Sequence, residues 1–174
     1  MMSSLELVVM ERSADADIGI SEESRQRAAE AVGTLLAGTY ALYLKTQYYH
    51  WNVVGAEFYN LHVMFEEQYE ALREAVDDIA ERVRTLGAIS PGTFHQFAQL
   101  NFVHEDAELP KSWREMVANL SQGHEAVARQ CRDFIFELED TKDEGTIDLM
   151  TERMRAHEKT AWMLRSLLRN HLTE

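Results

Sequence analysis

His50, His62, Glu66, Asp77 and Glu81 are residue types that bind hard or borderline metal ions, and they fall within one stretch of this sequence. Imidazole combined with carboxylate suits Fe(II), Zn(II) or Mn(II), and the lack of thiolate beside them disfavours Cu(I) and iron–sulfur clusters. Glu66 stands one helical turn after His62, and Glu81 one turn after Asp77. With His62 at zero on a helical wheel, Glu66 lies near about 40°, Asp77 near about 60° and Glu81 near about 100°. The apolar positions of the same stretch (Phe58, Leu61, Phe65, Tyr69, Leu72, Val76, Ile79, Val83 and Leu86) centre near about −60°. The ligand stripe therefore runs beside the core stripe and requires a second partner surface.

Axial distance sharpens that requirement. His62 and Asp77 are separated by ~22 Å along a helix, whereas metal–ligand bonds span only ~2.0–2.2 Å. One chain cannot close the site. A two-fold axis near the middle of the helix brings His62 and Glu66 of one chain to Asp77 and Glu81 of a mate, and makes the site twice. His50 joins from the end of the preceding helix if a tight hairpin sets it beside His62. Any one of these residues alone reads as a solvated face or a structural histidine. Spacing, face and hairpin position together select the metal reading.

The elements that must position these groups are helical. Ser21 is an N-cap, with Glu22 and Glu23 in the first turn. Ala28, Val32, Leu35, Leu36, Leu42 and Tyr43 continue at three- and four-residue steps to about Trp51, where Asn52 and Gly55 break the helix. A second helix runs from about Glu57 to Leu86 and stops at Gly87. Residues 88–111 form a long connection with a short apolar helix at 93–100. Ser112 to Glu115 reads as a capping box opening a third helix to about Leu138. Thr146 is the expected cap of a fourth, which runs to about His171. Two helices, a long crossover and two more helices predict an all-α, ferritin-like four-helix bundle with a short helix in the crossover between the second and third helices. Residues 1–20 read as a flexible N-terminal arm and 21–174 as the bundle domain.

Composition narrows the function classes. The net charge of −13, with 30 acids against 17 bases, disfavours nucleic acid as a partner and favours traffic with cations. Cys131 is the one cysteine, so no disulfide forms within the chain, and a reducing cytoplasm is the expected location. Glu6 interrupts the short apolar run near the start and no base precedes it, which makes a poor secretory signal. No apolar stretch is long enough to span a bilayer. None of the seven histidines has Glu three residues before it, so a di-iron centre buried within one bundle is not expected.

The run His50-Trp51-Asn52-Val53-x-Gly55-x-x-Phe58-x-x-Leu61-His62-x-x-Phe65-Glu66, then Asp77-x-Ile79-Ala80-Glu81-Arg82 and Leu86-Gly87, resembles the Dps proteins, the mini-ferritins. Trp162-Met163-Leu164-Arg165-x-x-Leu168 is also similar to theirs, and the likeness extends over about residues 21–170. The resemblance implies a homo-oligomeric, dodecameric hollow shell with ferroxidase sites at its two-fold interfaces. It implies oxidation of Fe(II), usually by hydrogen peroxide in preference to dioxygen, and storage of Fe(III) mineral inside. His50, His62 and Glu66 match the ligands from one subunit, and Asp77 and Glu81 those from the other. Trp51 matches the aromatic beside the site, where Tyr48 and Tyr49 are further candidates to relay one-electron oxidants. Carboxylates between Glu137 and Asp148 match those lining iron-entry pores, with Asp143 and Asp148 as candidates, and Glu67 and Glu70 are candidates to nucleate mineral. Family members that bind DNA often use Lys-rich terminal arms. This chain has no Lys before Lys45 and carries Glu6, Glu11, Asp15 and Asp17 against Arg12 in its first 20 residues, which makes direct DNA binding doubtful.

Overall fold

The structure is a computed structural model that describes residues 16–169. The helices are α1 (Glu22–Asn52), α2 (Phe58–Thr85), α3 (Phe94–Leu100), α4 (Trp113–Glu137) and α5 (Glu144–Leu168), with a 3-10 turn at Glu139–Thr141. Among the described residues there is no strand, and the all-α expectation holds. α1 packs along α2 and α4 along α5, so the bundle is two hairpins, joined where α1 meets α4. α2 and α5 touch over much less of their length. α2 is 28 residues long, or ~42 Å, and the α2–α4 connection crosses that length with α3 lying on α1. Most of the expected arm lies outside the described residues; 16–20 precede the α1 cap.

The helix ends follow local chemistry. The Ser21 hydroxyl accepts from the Ser24 N–H at 3.2 Å. Gly55, at φ +106°, turns the chain between α1 and α2, and Gly87, at φ +89°, ends α2; positive φ costs a side-chain-bearing residue ~1–2 kcal/mol. Thr93 and Gln96 form a complete capping box on α3. The box expected at Ser112 is half made. Ser112 Oγ accepts from Glu115 N–H, but the Glu115 carboxylate takes the N–H of Lys111 instead. The expected cap at Thr146 is corrected. Asp143 is the N-cap of α5, and Thr146 lies inside the first turn and donates both its N–H and its hydroxyl to the Asp143 carboxylate. Asp143 wins because an ionised acceptor beside exposed helix N–H groups gains from the helix dipole as well as from the hydrogen bond.

The core is one cluster. Val32, Leu35, Leu36, Leu42, Leu61, Phe65, Leu72, Ile79, Val83, Leu120, Val127, Met150 and Leu164 are buried in it, each worth ~1.5–3 kcal/mol of burial. A polar strut ties the crossover to α1 and α4. The Tyr49 hydroxyl donates to Asp106, Lys45 Nζ pairs with the same carboxylate at 3.1 Å, and Asn119 Nδ2 donates to it at 2.9 Å. Tyr49 and Lys45 lie in the last turns of α1, so this strut anchors the end of the helix that carries His50.

Candidate metal centre

His50 sits in the last turn of α1 and His62 in the second turn of α2. The tight connection brings them together as the spacing predicted. The rings stack with centroids 3.8 Å apart and an 18° interplanar angle. Each Nδ1–H donates to the other residue's backbone carbonyl, His50 to His62 O at 2.8 Å and His62 to His50 O at 2.9 Å. A carbonyl only accepts, so both Nδ1 atoms carry protons. In the neutral imidazoles this tautomer leaves the lone pair on Nε2, as a metal ion requires, and the rings cannot swing away without losing a bond. Phe58 stacks on His62 with centroids 5.0 Å apart, and Tyr69 meets His50 edge-on at 5.2 Å.

Glu66 is exposed one turn beyond His62, and the Tyr69 hydroxyl donates to its Oε1 at 3.4 Å. Desolvation first, and then the charges of Glu66 and Glu70, push the Tyr69 phenol up, so it stays a neutral donor at physiological pH. Asp77 and Glu81 are exposed further along the same helix. Leu61, Phe65, Leu72, Ile79 and Val83 are buried, so the core and ligand stripes separate on α2 as the wheel predicts. Among the described residues of one chain, no three His, Cys, Asp or Glu side chains gather closely enough to hold a metal ion. Within one chain the expected ligands thus do not converge on a single point.

The remaining expected residues divide by environment. Trp51 is 62 % exposed at the end of α1, and Tyr48 lines a groove beside it with Lys45 and Asp106. Tyr49 is fully buried in the polar strut, and burial together with the Asp106 carboxylate pushes its phenol well up. That chemistry is structural: a phenol bonded to a carboxylate and an amide locks the crossover. Asp143 is 2 % exposed, and its carboxylate serves the α5 cap and an ion pair with Arg82. Asp148 is exposed one turn on. Glu67 is exposed, and Glu70 pairs with Arg73 at 2.6 Å.

Sequence reasoning placed Tyr69 and Phe58 in the core stripe and missed their roles as walls of the histidine pair. The signal existed for Tyr69, which follows Glu66 by three residues and so shares its face. Arg82 was also missed. It follows Glu81, yet its Nε donates to Thr146 Oγ1 at 2.9 Å and joins the end of α2 to the start of α5. Local spacing carries no signal for a contact between residues 64 apart.

Comparison with known proteins places these features in a family. The model of the ferritin-like domain matches residues 29–171. A low temperature-induced protein of Nostoc sp. strain PCC 7120 is 45 % identical over 153 residues, which cover 87 % of this chain and 86 % of the relative. A nutrient stress-induced DNA-binding protein of the same organism is 32 % identical over 139 residues, covering 80 % and 76 %. The Dps protein of Vibrio cholerae O1, described as a member of the ferritin-like diiron-carboxylate superfamily, superposes with a TM-score of 0.84 at 32 % identity, over 91 % of this chain and 100 % of that one. DpsC from Streptomyces coelicolor gives a TM-score of 0.88 at 26 % identity, over 94 % and 95 %. No helix among the described residues is long and apolar enough to cross a membrane. With the bundle, the crossover and the paired histidines in place, the chain belongs to the Dps family of ferritin-like proteins.

Proposed function

We propose that this protein is an iron-oxidising, iron-storing mini-ferritin, with Fe(II) as substrate rather than resident cofactor. Its ferroxidase sites lie at two-fold contacts in a homo-oligomeric, dodecameric shell. His50, His62 and Glu66 come from one subunit, and Asp77 and Glu81 from the mate. The observation that carries this reading is the reciprocal lock of His50 and His62, which engages both Nδ1 atoms and leaves the Nε2 of each neutral ring free to ligate, with Glu66 one helical turn beyond His62. Nitrogen and carboxylate donors together hold Fe(II), and the anionic donors favour the more highly charged Fe(III). Electrons pass from Fe(II) to hydrogen peroxide, or to dioxygen in its absence, and peroxide is reduced to water as it takes up protons. Trp51, exposed at the end of α1, is the group placed to quench one-electron oxidants that escape. Exposed Asp148 is the better pore candidate, since the Asp143 carboxylate is engaged, and Glu67 is the better candidate to meet the mineral. The cytoplasm is the proposed location, and the work done there is protection from oxidative damage.

The DNA-binding, nucleoid-compacting alternative is disfavoured by the charge of −13 and the acidic residues before Ser21. Retardation of DNA by the metal-free protein at low salt would favour it. The main test is stopped-flow Fe(II) oxidation by His50→Ala and Asp77→Ala, alongside particle mass. Both variants are expected to assemble as the parent does and to oxidise Fe(II) at least roughly tenfold more slowly. Parental rates in both would refute the site.

A further inference from the structure

Three tyrosines stand in line with the paired histidines. Tyr69 meets His50 edge-on with ring centroids 5.2 Å apart, Tyr43 meets Tyr69 edge-on at 6.2 Å, and Tyr40 meets Tyr43 edge-on at 5.7 Å. The line ends under α3, where Tyr40 stacks on Phe97 at 4.6 Å and meets Phe94 edge-on at 6.4 Å. Every step lies within the range of packed aromatic pairs. The Tyr69 hydroxyl donates to Glu66 Oε1 at 3.4 Å, so the first phenol also touches the carboxylate beside His62.

Packing does not account for the phenols. All three rings are half-buried, and phenylalanine would fill the same space. The Tyr40 and Tyr43 hydroxyls bond to no protein group among the described residues, and neither is a buried polar atom, so both open to solvent. What a hydroxyl adds to such a ring is the capacity to give up an electron together with a proton, which phenylalanine lacks. Tyr48 and Tyr49 form a separate pair at 6.1 Å, with the Tyr49 hydroxyl tied to Asp106, and Trp51 stands outside the line.

We propose that Tyr69, Tyr43 and Tyr40 are a redox relay that carries one-electron oxidising equivalents from the His50–His62 site to the side of α1 covered by α3. The relay rests on the ferroxidase reading of that site. Reduction of hydrogen peroxide to two waters takes up two electrons and two protons. When a site holds one Fe(II), that ion gives one electron and Tyr69 gives the other. One Fe(II), one peroxide, one Tyr69 phenol and one solvent proton then yield one Fe(III), one neutral tyrosyl radical and two waters. Tyr43 next gives an electron to the Tyr69 radical. The Tyr43 proton leaves to solvent, and Tyr69 takes one back. Tyr40 does the same for Tyr43. The Phe94 and Phe97 rings, far harder to oxidise, end the line, and the radical has left the histidine rings.

The test is electron paramagnetic resonance of the assembled full chain, frozen after mixing one Fe(II) per site with excess hydrogen peroxide. Parallel samples carry a spin trap, and the adducts are mapped by peptide mass spectrometry. A tyrosyl signal is expected in the parent, with adducts on Tyr69, Tyr43 and Tyr40. Tyr43→Phe keeps the ring and cuts the line, and is expected to lose the Tyr40 adduct while keeping that on Tyr69. Tyr69→Phe is expected to lose the adducts on both Tyr43 and Tyr40, and His50→Ala to lose the tyrosyl signal. Absorbance follows Fe(II) oxidation in the same mixtures. A parent that oxidises Fe(II) without a tyrosyl radical would overturn the relay and leave the ferroxidase reading standing. A parent that oxidises Fe(II) no faster than protein-free buffer would overturn both. An undiminished Tyr40 adduct in Tyr43→Phe, a radical on Trp51 in place of these tyrosines, or a tyrosyl signal that persists in His50→Ala would each overturn the relay alone.

Discussion

Mixing two inactive variants tests the shared site directly. His62 and Asp77 lie ~22 Å apart on one rigid helix, about ten times a metal–ligand bond. If the mate completes each site, a two-fold dimer contains two sites, and each takes His50 from one chain and Asp77 from the other. His50→Ala and Asp77→Ala homo-oligomers then lack a ligand at every site. In a mixed dimer both lesions fall in the same site, and the other site is whole. With random assembly from equal amounts, half the dimers are mixed, so about a quarter of the sites are restored. The assay is the initial rate of Fe(II) oxidation after co-refolding, with mixed particles verified by native mass spectrometry. His50→Ala also removes the side-chain bond to the His62 carbonyl, which keeps its helical donor, at a cost of about 0.5–1.5 kcal/mol; Asp77→Ala, on an exposed helix face, costs within about 0.5 kcal/mol. Thermal unfolding of each parent separates that cost from lost ligation. Mixed particles that remain at the parental baseline would refute the inter-subunit reasoning, because an intrachain site gains nothing from its neighbours.

Asp143→Ala removes the α5 cap and the partner of Arg82, and is expected to cost about 2–4 kcal/mol, seen as a lower unfolding temperature. A change within error would show that the cap and ion pair contribute nothing. His124 is held down to about 3 by burial, while a histidine in the unfolded chain titrates near 6.5. The unfolded chain therefore binds protons that the folded chain refuses, and stability falls as pH drops from about 6.5 towards 3. His124→Gln is expected to flatten that slope in unfolding temperatures measured between pH 7 and 4, and an unchanged slope would assign it to other groups. Burial pushes the Cys131 thiol up to about 12, so it is expected to resist thiol reagents in the native protein and to react once denatured; rapid native labelling would contradict that.

The bundle was legible in the sequence because its signals are local. A helix has one period, so the α2 stripe from Leu61 to Leu86 reads directly as a core face, and Ser21, Thr93 and Gly87 mark ends through chemistry that acts within a few residues. The exposed stripe of Glu66, Asp77 and Glu81 beside that face was legible for the same reason, and rise per residue sets His62 and Asp77 ~22 Å apart. Local chemistry also set traps. Thr146 has the right residue type for a cap, but Asp143 holds the position because its carboxylate reaches the Thr146 N–H, the Thr146 hydroxyl and Arg82 at once. Asp143 and Asp148 look alike as acids in one run, yet one is buried and engaged while the other is open.

Tertiary structure decided what lies between distant elements. The sequence puts His50 and His62 near each other; only the fold crosses their Nδ1–H bonds to each other's carbonyls and so determines which ring nitrogen is left unengaged. Tyr49 neighbours Tyr48 in the chain, but packing turns it inward to Asp106, 57 residues away. His124 and His157 have no spacing in common and become a pair only because α4 and α5 are antiparallel at that level. Periodicity encodes the face a residue occupies. Partners across the bundle follow from helix register, which is the joint outcome of every core contact and is written in no single stretch of the chain.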